Sequence, residues 1–195
     1  MGLRNTIKDF NNSENFWVGL LRDLLSVIFV AAILSSVSYI ALGRWSPMVA
    51  VESESMVPNM QIGDIIFVQG IDRTDVITRE KGKEIEYVSF GDHGDVVLYK
   101  RSGNENLTPI IHRVMYYVNK GEPMWKGGPP APYEGYITKG DNNNGFDQQG
   151  SVSYLEPIKK EWIMGVTRFT RIPVLGYFKL ILMKALAFFS WQPTY

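Results

Sequence analysis

The stretch VESESMVPNMQIGDIIFV, from Val51 to Val68, places two serines one residue apart immediately before an apolar run. In an extended backbone, alternate side chains point to the same face, so the hydroxyls of Ser53 and Ser55 are expected to lie together. One hydroxyl could then attack a substrate while the other stabilises the charge that develops. An ordinary polar turn is the alternative, because Ser, Asn and Pro are common turn residues.

The composition excludes several function classes. The 20 basic and 20 acidic residues balance, so no net field draws this 195-residue chain toward nucleic acid. The absence of cysteine excludes thiol catalysis, disulfides and thiolate metal sites. Only His93 and His112 could supply imidazole ligands, and an EF-hand-like run from Asp141 has Val152 where its final Glu is required. We therefore expect neither a metal nor a cofactor.

A charge-free segment, LLSVIFVAAILSSVSYIAL, runs from Leu24 to Leu42. As a helix it would span roughly 28 Å, close to the thickness of a hydrocarbon core. Trp17 and Trp45 flank it in the way of interfacial anchors. A cleaved secretory signal and a buried core helix are the alternatives, but signal cores are shorter and few soluble helices are apolar all round. We predict a retained transmembrane helix over 24–42.

The basic residues around this helix predict its orientation. Arg4, Lys8 and Arg22 precede it, whereas Arg44 follows closely. This asymmetry favours a short cytoplasmic segment over 1–23 and an extracytoplasmic domain from residue 43. At the other end, 173–195 is apolar but interrupted by lysines, which predicts either an interfacial helix or a second transmembrane helix.

Between residues 43 and 172 the chain reads as short strands separated by Gly, Pro, Asn and Asp, which predicts a mainly β domain. Asp64 and Asp95 each follow a glycine before a strand and are predicted to be turn residues. The charged segment IDRTDVITREKGK is predicted to be a solvated excursion. The predicted strands are MVAVES, DIIFVQ, KEIEYVSF, DVVLYKR, IIHRVMYYV, EGYITKG and EWIMGVTRF.

A serine nucleophile needs a base that accepts a proton near neutral pH, which is where imidazole titrates. His112 lies in the strand-like run TPIIHRVMYYV, where a core histidine is the alternative reading; His93, in GDHGD, is predicted to be an exposed turn residue. A histidine base in turn needs a carboxylate to orient it. Asp141 and Asp147, in KGDNNNGFDQQ, are the candidates, although each could be an ordinary turn residue.

Five blocks follow one another behind the apolar segment: SESMVP from Ser53, GDII from Gly63, GDVV from Gly94, IHRV from Ile111 and KGDNN from Lys139, followed by Asp147. In this combination the chain resembles type I signal peptidases of the archaeal and endoplasmic-reticulum branch, over about residues 24–177. The resemblance implies a signal-peptidase-like all-β catalytic domain. It also implies a membrane-bound serine endopeptidase that cleaves signal peptides from secreted and membrane preproteins after small residues.

The resemblance also assigns roles to individual residues. Ser55 matches the nucleophile, and Ser53 matches the hydroxyl that receives the oxyanion together with the Ser55 backbone N–H. His112 matches the base, Asp147 the acid that orients it, and Asp141 a second important acid of unclear role. The substrate is expected to pair as an extended strand with the segment that leads into the nucleophile. That pairing implies a substrate cleft lined by Val51, Glu52 and Met56.

Two departures from the family pattern stand out. Glu54 occupies a position that is commonly glycine, and strand alternation should turn its side chain away from the serines. Lys100 lies in a Lys-Arg pair of the kind that marks a lysine base elsewhere in the family, so a lysine-dependent peptidase is one alternative. A non-catalytic, membrane-anchored β domain is the other.

The expected partners are preproteins with signal peptides, membrane lipid, and translocation machinery or accessory subunits, without nucleic acid. The expected location is the cell membrane, or the endoplasmic-reticulum membrane in a eukaryote. Glu54 and the Gly176–Tyr177 segment favour an archaeal source by resemblance. Twelve residues separate Gly43 from Ser55, and even fully extended they reach only about 40 Å, so the active site is expected near the membrane face.

Overall fold

The computed structural model describes residues 10, 12–45, 47–173, 176–177 and 180–181. Two compact units, Met1–Ser46 and Pro47–Tyr195, make up the chain. Most of the predicted C-terminal helix over 173–195 lies outside the described residues.

The first unit contains one long helix, α1, from Phe16 to Leu42. It begins where the Asn15 side chain accepts a hydrogen bond from the Trp17 N–H at 3.0 Å, which satisfies one of the unpaired donors of the first turn. It ends at Gly43, whose left-handed backbone, with φ of 68°, suits a residue without a side chain.

The helix starts eight residues before the predicted span over 24–42 and ends at the predicted residue. The earlier start extends it through Arg22 and Asp23, because the cap at Asn15 determines where the helix begins rather than the first uncharged residue. Within the described part of the chain it is the one helix long and apolar enough to cross a membrane. None of its residues is buried within that described part.

The second unit is mainly β, which confirms the predicted fold class. Six antiparallel strands form one sheet in the order β1-β2-β8-β5-β6-β7, and β3 and β4 form a separate two-stranded ribbon. The elements are β1 (Met48–Ala50), β2 (Ile65–Gly70), helix α2 (Arg79–Glu84), β3 (Val88–Ser89), β4 (Asp92–His93), β5 (Val96–Tyr99), β6 (Ile110–Val118), β7 (Gly135–Lys139) and β8 (Ile163–Ile172).

Apolar side chains cover both faces of the sheet. Successive residues of β5 point to opposite faces, so Val96 and Val97 enter different clusters. One cluster contains Val97, Tyr99, Val114, Ile158, Ile163 and Val166. The other contains Val51, Met56, Met60, Ile66 and Val96. The second cluster carries the turn that follows β1, which is the turn with the two serines.

Two predicted strands differ from the structure. KEIEYVSF is wrong for most of its length, because α2 occupies its start and Val88–Ser89 is its paired part. The helix begins after Thr78, whose hydroxyl accepts a hydrogen bond from the Lys81 N–H at 3.2 Å. The same helix overlaps the end of the segment predicted to be a solvated excursion. MVAVES is a strand only to Ala50, because the chain turns soon afterwards.

The two aspartates predicted to be turn residues have different environments. Asp64 accepts a hydrogen bond from the Gln61 N–H at 2.8 Å, as a turn residue does. For Asp95 the prediction is wrong, because its buried side chain bonds groups distant in the sequence instead of its own turn. One of its oxygens accepts hydrogen bonds from Arg168 Nη1 and from the Tyr87 hydroxyl, both at 2.8 Å, and the other accepts one from the Ile77 N–H. Asp95 therefore ties the segment before α2 to the sheet.

Candidate active site

The two serines lie in a turn that follows β1. The Val57 N–H bonds the Glu54 carbonyl at 3.1 Å, and the Met60 N–H bonds the Met56 carbonyl at 2.9 Å, so the backbone curls instead of staying extended. The curl still brings the Ser53 and Ser55 hydroxyl oxygens to 3.2 Å from each other. The proximity predicted from strand alternation is therefore found, but a turn produces it.

The residues predicted to line the substrate cleft are placed differently from one another. Val51 and Met56 are buried at 4% and 1% exposure and anchor the serine turn to the core, whereas Glu52 is exposed. Glu54 is exposed as well. A lining role through side-chain contact is therefore open to Glu52, while Val51 and Met56 support the turn from beneath.

One edge of the sheet is open beside this turn. The Pro47 carbonyl accepts a hydrogen bond from the Val68 N–H, and the Val51 N–H bonds the Asp64 carbonyl, so these residues face β2. Because backbone groups alternate in direction along an antiparallel strand, those of Met48, Ala50 and Glu52 face the other way. Among the described residues no strand pairs with this side of β1. The open edge leads directly to the serines.

His112 lies on β6 and is hydrogen-bonded to Asp147. Its Nδ1 is 2.7 Å from Asp147 Oδ2, and both side chains are buried. The carboxylate accepts, so Nδ1 carries the proton and Nε2 keeps a lone pair with which it can take a proton. This is the contact expected between a base and the acid that orients it. His112 is buried, as the core-histidine alternative requires, but it pairs with an ionisable group.

Two further hydroxyls converge on the same carboxylate oxygen. Thr138, on β7, donates to Asp147 Oδ2 at 2.6 Å, and Tyr99, on β5, donates to it at 2.9 Å. Burial raises the pKa of the Tyr99 phenol well above its usual value, and the negative charge of Asp147 raises it further. Tyr99 therefore stays protonated, and a donor, at neutral pH. Three donors compensate for the burial of this carboxylate.

Sequence reasoning missed Tyr99 and Thr138. The pairing of Val97 with His112 places Tyr99 two residues along β5 on the face that His112 occupies, and Thr138 pairs with Val114 on the same face. Only knowledge of the strand register could have identified them. Nothing in the sequence near either residue marks it as a functional one.

Asp141 belongs to a different contact set from Asp147. Its carboxylate accepts two hydrogen bonds from Arg113, from Nε at 2.8 Å and from Nη2 at 2.7 Å. It accepts a third from Asn59 Nδ2, also at 2.7 Å. Asp141 therefore contacts the turn that carries Ser55, whereas Asp147 contacts the imidazole.

The loop after β7 connects the serine turn to the His112–Asp147 pair. The Asn142 N–H donates to the Ser55 carbonyl at 2.8 Å, and five residues later Asp147 holds His112. Gly140 is required in this loop because a Cβ there would lie 2.7 Å from the Ser55 carbonyl oxygen. Among the described residues no hydrogen bond joins the Ser55 hydroxyl to His112. Catalytic hydrogen bonds of this kind often shorten only when substrate binds.

The remaining titratable candidates lie elsewhere. Lys100 Nζ is 2.5 Å from Glu105 Oε1 at the end of β5, so its ammonium is paired with an exposed carboxylate. His93 lies half-buried in β4 with Nδ1 3.3 Å from the Tyr87 carbonyl, so the prediction of an exposed turn residue is wrong. No group of three potential metal ligands exists among the described side chains.

Comparison with known proteins finds relatives over most of the chain. No protein-family model matches the chain. Over 146 residues it is 34% identical to the signal peptidase complex catalytic subunit SEC11 of Ogataea parapolymorpha, a match that covers 73% of this chain and 71% of the relative. Over 165 residues it is 32% identical to the protein of the same description from Saccharomyces cerevisiae, with 80% of each chain covered.

Proposed function

This chain belongs to the family of signal peptidase catalytic subunits, and we propose that Ser55 and His112 carry out its cleavage of signal peptides. It is a membrane-bound serine endopeptidase. The observation that carries the assignment of residues is the buried 2.7 Å contact between His112 and Asp147, joined through one loop to the Ser53–Ser55 hydroxyl pair.

In the proposed mechanism the Ser55 hydroxyl attacks the scissile carbonyl while His112 Nε2 accepts its proton. The Ser53 hydroxyl and the Ser55 backbone N–H stabilise the oxyanion of the tetrahedral intermediate. The intermediate collapses as the same proton passes to the leaving amine, which gives an acyl-enzyme. Water then attacks the ester with His112 again as the base, and the proton returns to Ser55 as the acid product leaves.

Asp147 and the open edge of β1 support this chemistry from two sides. Asp147 fixes the tautomer of His112 and stabilises the imidazolium that forms transiently. The outward-facing backbone groups of β1 offer the hydrogen bonds that an extended peptide needs, and they lead it toward Ser55. Discrimination for small residues at the cleavage site is part of the proposal, since signal peptides end in small side chains.

The primary test is cleavage of a secretory precursor by the detergent-solubilised full chain, with the cut located by mass spectrometry. The wild type is expected to cut after a small residue at the signal boundary, and Ser55→Ala is expected to lose that cut. Equal cutting by both preparations would remove Ser55 from the mechanism. Asn104→Ala, a substitution at an exposed residue that has no part in the proposed mechanism, controls for the effect of preparing a variant.

We further propose that the catalytic domain is extracytoplasmic and that residues before α1 are cytoplasmic. The support is that Arg4, Lys8 and Arg22 precede the apolar segment 24–42, whereas Arg44 alone follows it closely. Because the chain has no cysteine, single substitutions give label sites without background. In intact cells or sealed vesicles of known orientation, a membrane-impermeant maleimide applied from the extracytoplasmic side should label Asn106→Cys and not Asn12→Cys. The opposite pattern would reverse the topology.

Accessory subunits are part of the proposal because both relatives are described as subunits of a signal peptidase complex. The archaeal source expected from the sequence gains no support from these relatives, which come from yeasts. The proposed chemistry is the same for either source. Membrane association itself agrees with the length and composition of α1.

A further inference from the structure

Building on the proposed function, we propose that Asn59 and Arg113 are positioning residues that hold the Ser55 nucleophile in place through Asp141. Neither residue has a role in the chemistry described above. The contact set Asn59–Asp141–Arg113 is referred to as the nucleophile clamp.

The alternation of side chains along β6 determines which acid each of two neighbouring residues binds. His112 and Arg113 are neighbours and therefore point to opposite faces of the sheet. Each is hydrogen-bonded to a different acid of the loop after β7: His112 to Asp147, and Arg113 to Asp141. Asp141 thus contacts the turn of the nucleophile, whereas Asp147 contacts the base.

Arg113 is rigidly held. Its side chain is 1% exposed, and its guanidinium binds both oxygens of Asp141 in the fork geometry typical of strong Arg–carboxylate pairs. Its other N–H groups donate to carbonyls in and around the β3–β4 ribbon, which fix it from the opposite side. These carbonyls belong to Ser89, Phe90, Asp92, His93 and Gly94.

Asp141 and the residue after it are hydrogen-bonded to the serine turn at three points. Its carboxylate accepts from Asn59 Nδ2 at 2.7 Å, its backbone N–H points at Met56 Sδ at 3.4 Å, and the next N–H, of Asn142, donates to the Ser55 carbonyl. These contacts therefore hold the nucleophile itself and the residues just after it, at positions 55, 56 and 59.

The Asn59 amide is confined on its other side as well. A Cβ at Gly91 would lie 2.3 Å from Asn59 Oδ1, so this glycine leaves just enough room for the amide group. Asn59 consequently sits between the β3–β4 connection and Asp141, with its donor directed at the carboxylate. Its hydrogen bond is charge-assisted, which makes it stronger than one between neutral groups.

Loosening the clamp should slow chemistry without weakening substrate binding. The β1 edge that pairs with the substrate makes none of these contacts, so KM should stay within about twofold of the wild-type value. A nucleophile displaced by about 1 Å loses about 100-fold in rate, and we expect a fall of about 10- to 100-fold in kcat for Asn59→Ala.

The test is kcat and KM for precursor cleavage by the detergent-solubilised full chain, with wild type and Ser55→Ala as references. Asn59→Asp keeps the shape of the side chain but turns a carboxylate toward Asp141, so its kcat should fall at least as far as that of Asn59→Ala. A space-filling role predicts wild-type kcat for Asn59→Asp. Arg113→Lys keeps the charge but loses the fork, and it should lower kcat in the same way.

Two matched controls separate positioning from stability. Asn104→Ala removes an amide that accepts one hydrogen bond, from the Asn106 N–H, and it should keep wild-type kcat. Arg168→Lys weakens a second Arg–Asp ion pair of the sheet, the one with Asp95. The nitrogen–oxygen distance is 2.8 Å in this pair and 2.7 Å between Arg113 and Asp141. A purely structural role predicts equal effects of Arg113→Lys and Arg168→Lys on kcat at a temperature where both are folded.

Hydrogen exchange of the 52–60 backbone amides supplies a readout independent of cleavage. Asn59→Ala should exchange these amides faster than the wild type. If the wild type cleaves and the Asn59 variants keep its kcat and exchange rates, the clamp is overturned while the proposed function stands. If the wild type cleaves no precursor, the proposed function fails, and unchanged exchange in Asn59→Ala would separately overturn the clamp.

Discussion

At the scale of single residues, the identity of the base has the clearest consequence. His112 Nδ1 is held by Asp147, whereas Lys100 is ion-paired with Glu105 at a strand end. His112→Ala should therefore lower kcat by at least about 100-fold, and Lys100→Ala should leave it nearly unchanged. Steady-state cleavage of one precursor by both variants measures this. Loss of activity in Lys100→Ala with survival in His112→Ala would assign the base to the lysine.

Tyr99 predicts a pH dependence of stability. Burial raises the pKa of its phenol in the folded state, while in the unfolded chain it ionises near its ordinary value of about 10. Above that pH the unfolded state loses a proton that the folded state keeps, so the free energy of unfolding falls as the pH rises. Between pH 8 and pH 10.5, Tyr99→Phe should lose less unfolding free energy than the wild type.

Denaturant unfolding at the two pH values, followed by near-ultraviolet circular dichroism, measures this difference. Tyr154→Phe is the control, since its ring is 66% exposed and it should follow the wild type. Tyr99→Phe also removes one hydrogen-bond donor to Asp147. That loss lowers the free energy of unfolding at both pH values and does not change the difference between the two values. An identical fall in wild type and Tyr99→Phe would contradict the expectation.

How far the sequence could predict the site also differs from residue to residue. His112 and Asp147 could be paired because a serine, a histidine and two acids follow one another in a characteristic order of motifs; their catalytic roles stay predictions. Tyr99 and Thr138 could not be found, since they reach Asp147 only through the register of β5, β6 and β7. Assignment of Asp141 to Arg113 likewise needed the alternation of β6 in three dimensions.

At the scale of elements, the open edge of β1 predicts a role for one backbone N–H. The backbone N–H of Glu52 faces away from β2. Proline has no N–H, so Glu52→Pro would remove a hydrogen bond to an extended substrate and leave the β1–β2 pairing intact. Loss of one such bond, worth about 1 kcal/mol, should raise KM about fivefold. Glu52→Ala keeps the N–H and should bind the precursor normally if the backbone, not the carboxylate, makes the contact. Equal KM values for the two variants would remove this edge from substrate pairing.

Helix α2 shows why element prediction failed where it did. The run from Lys83 to Phe90 contains β-branched and aromatic residues, which predicts a strand. A helix capped by Thr78 begins upstream, however, and its last two residues, Lys83 and Glu84, occupy the start of that run. Capping acts through a single hydrogen bond and is decided locally. β2 and β5 were predictable from their apolar runs, because their successive residues are largely buried on both faces of the sheet.

At the scale of the whole molecule, α1 predicts how the protein is retained in the membrane. An arginine near the centre of a transmembrane helix costs about 2.5–3.5 kcal/mol on insertion. Val30→Arg should therefore reduce the fraction of the chain that resists alkaline carbonate extraction. Val88→Arg is the matched control, because Val88 lies in β3 with its side chain 55% exposed, and it should leave extraction unchanged. Full retention of Val30→Arg would mean that α1 is not needed to hold the chain.

The order of strands in the main sheet also bears on when the enzyme becomes active during its own synthesis. The hairpin of β1 and β2 carries Ser55, and the meander of β5, β6 and β7 carries His112. Within the sheet the two are bridged by β8, which in the described part of the chain follows all the other strands. A nascent chain that has emerged just past Asp147 already contains the loop that contacts the serine turn, but it still lacks the strand that pairs the hairpin with the meander. We therefore expect a chain shortened just after Asp147 to lack cleavage activity, although it contains Ser55 and His112.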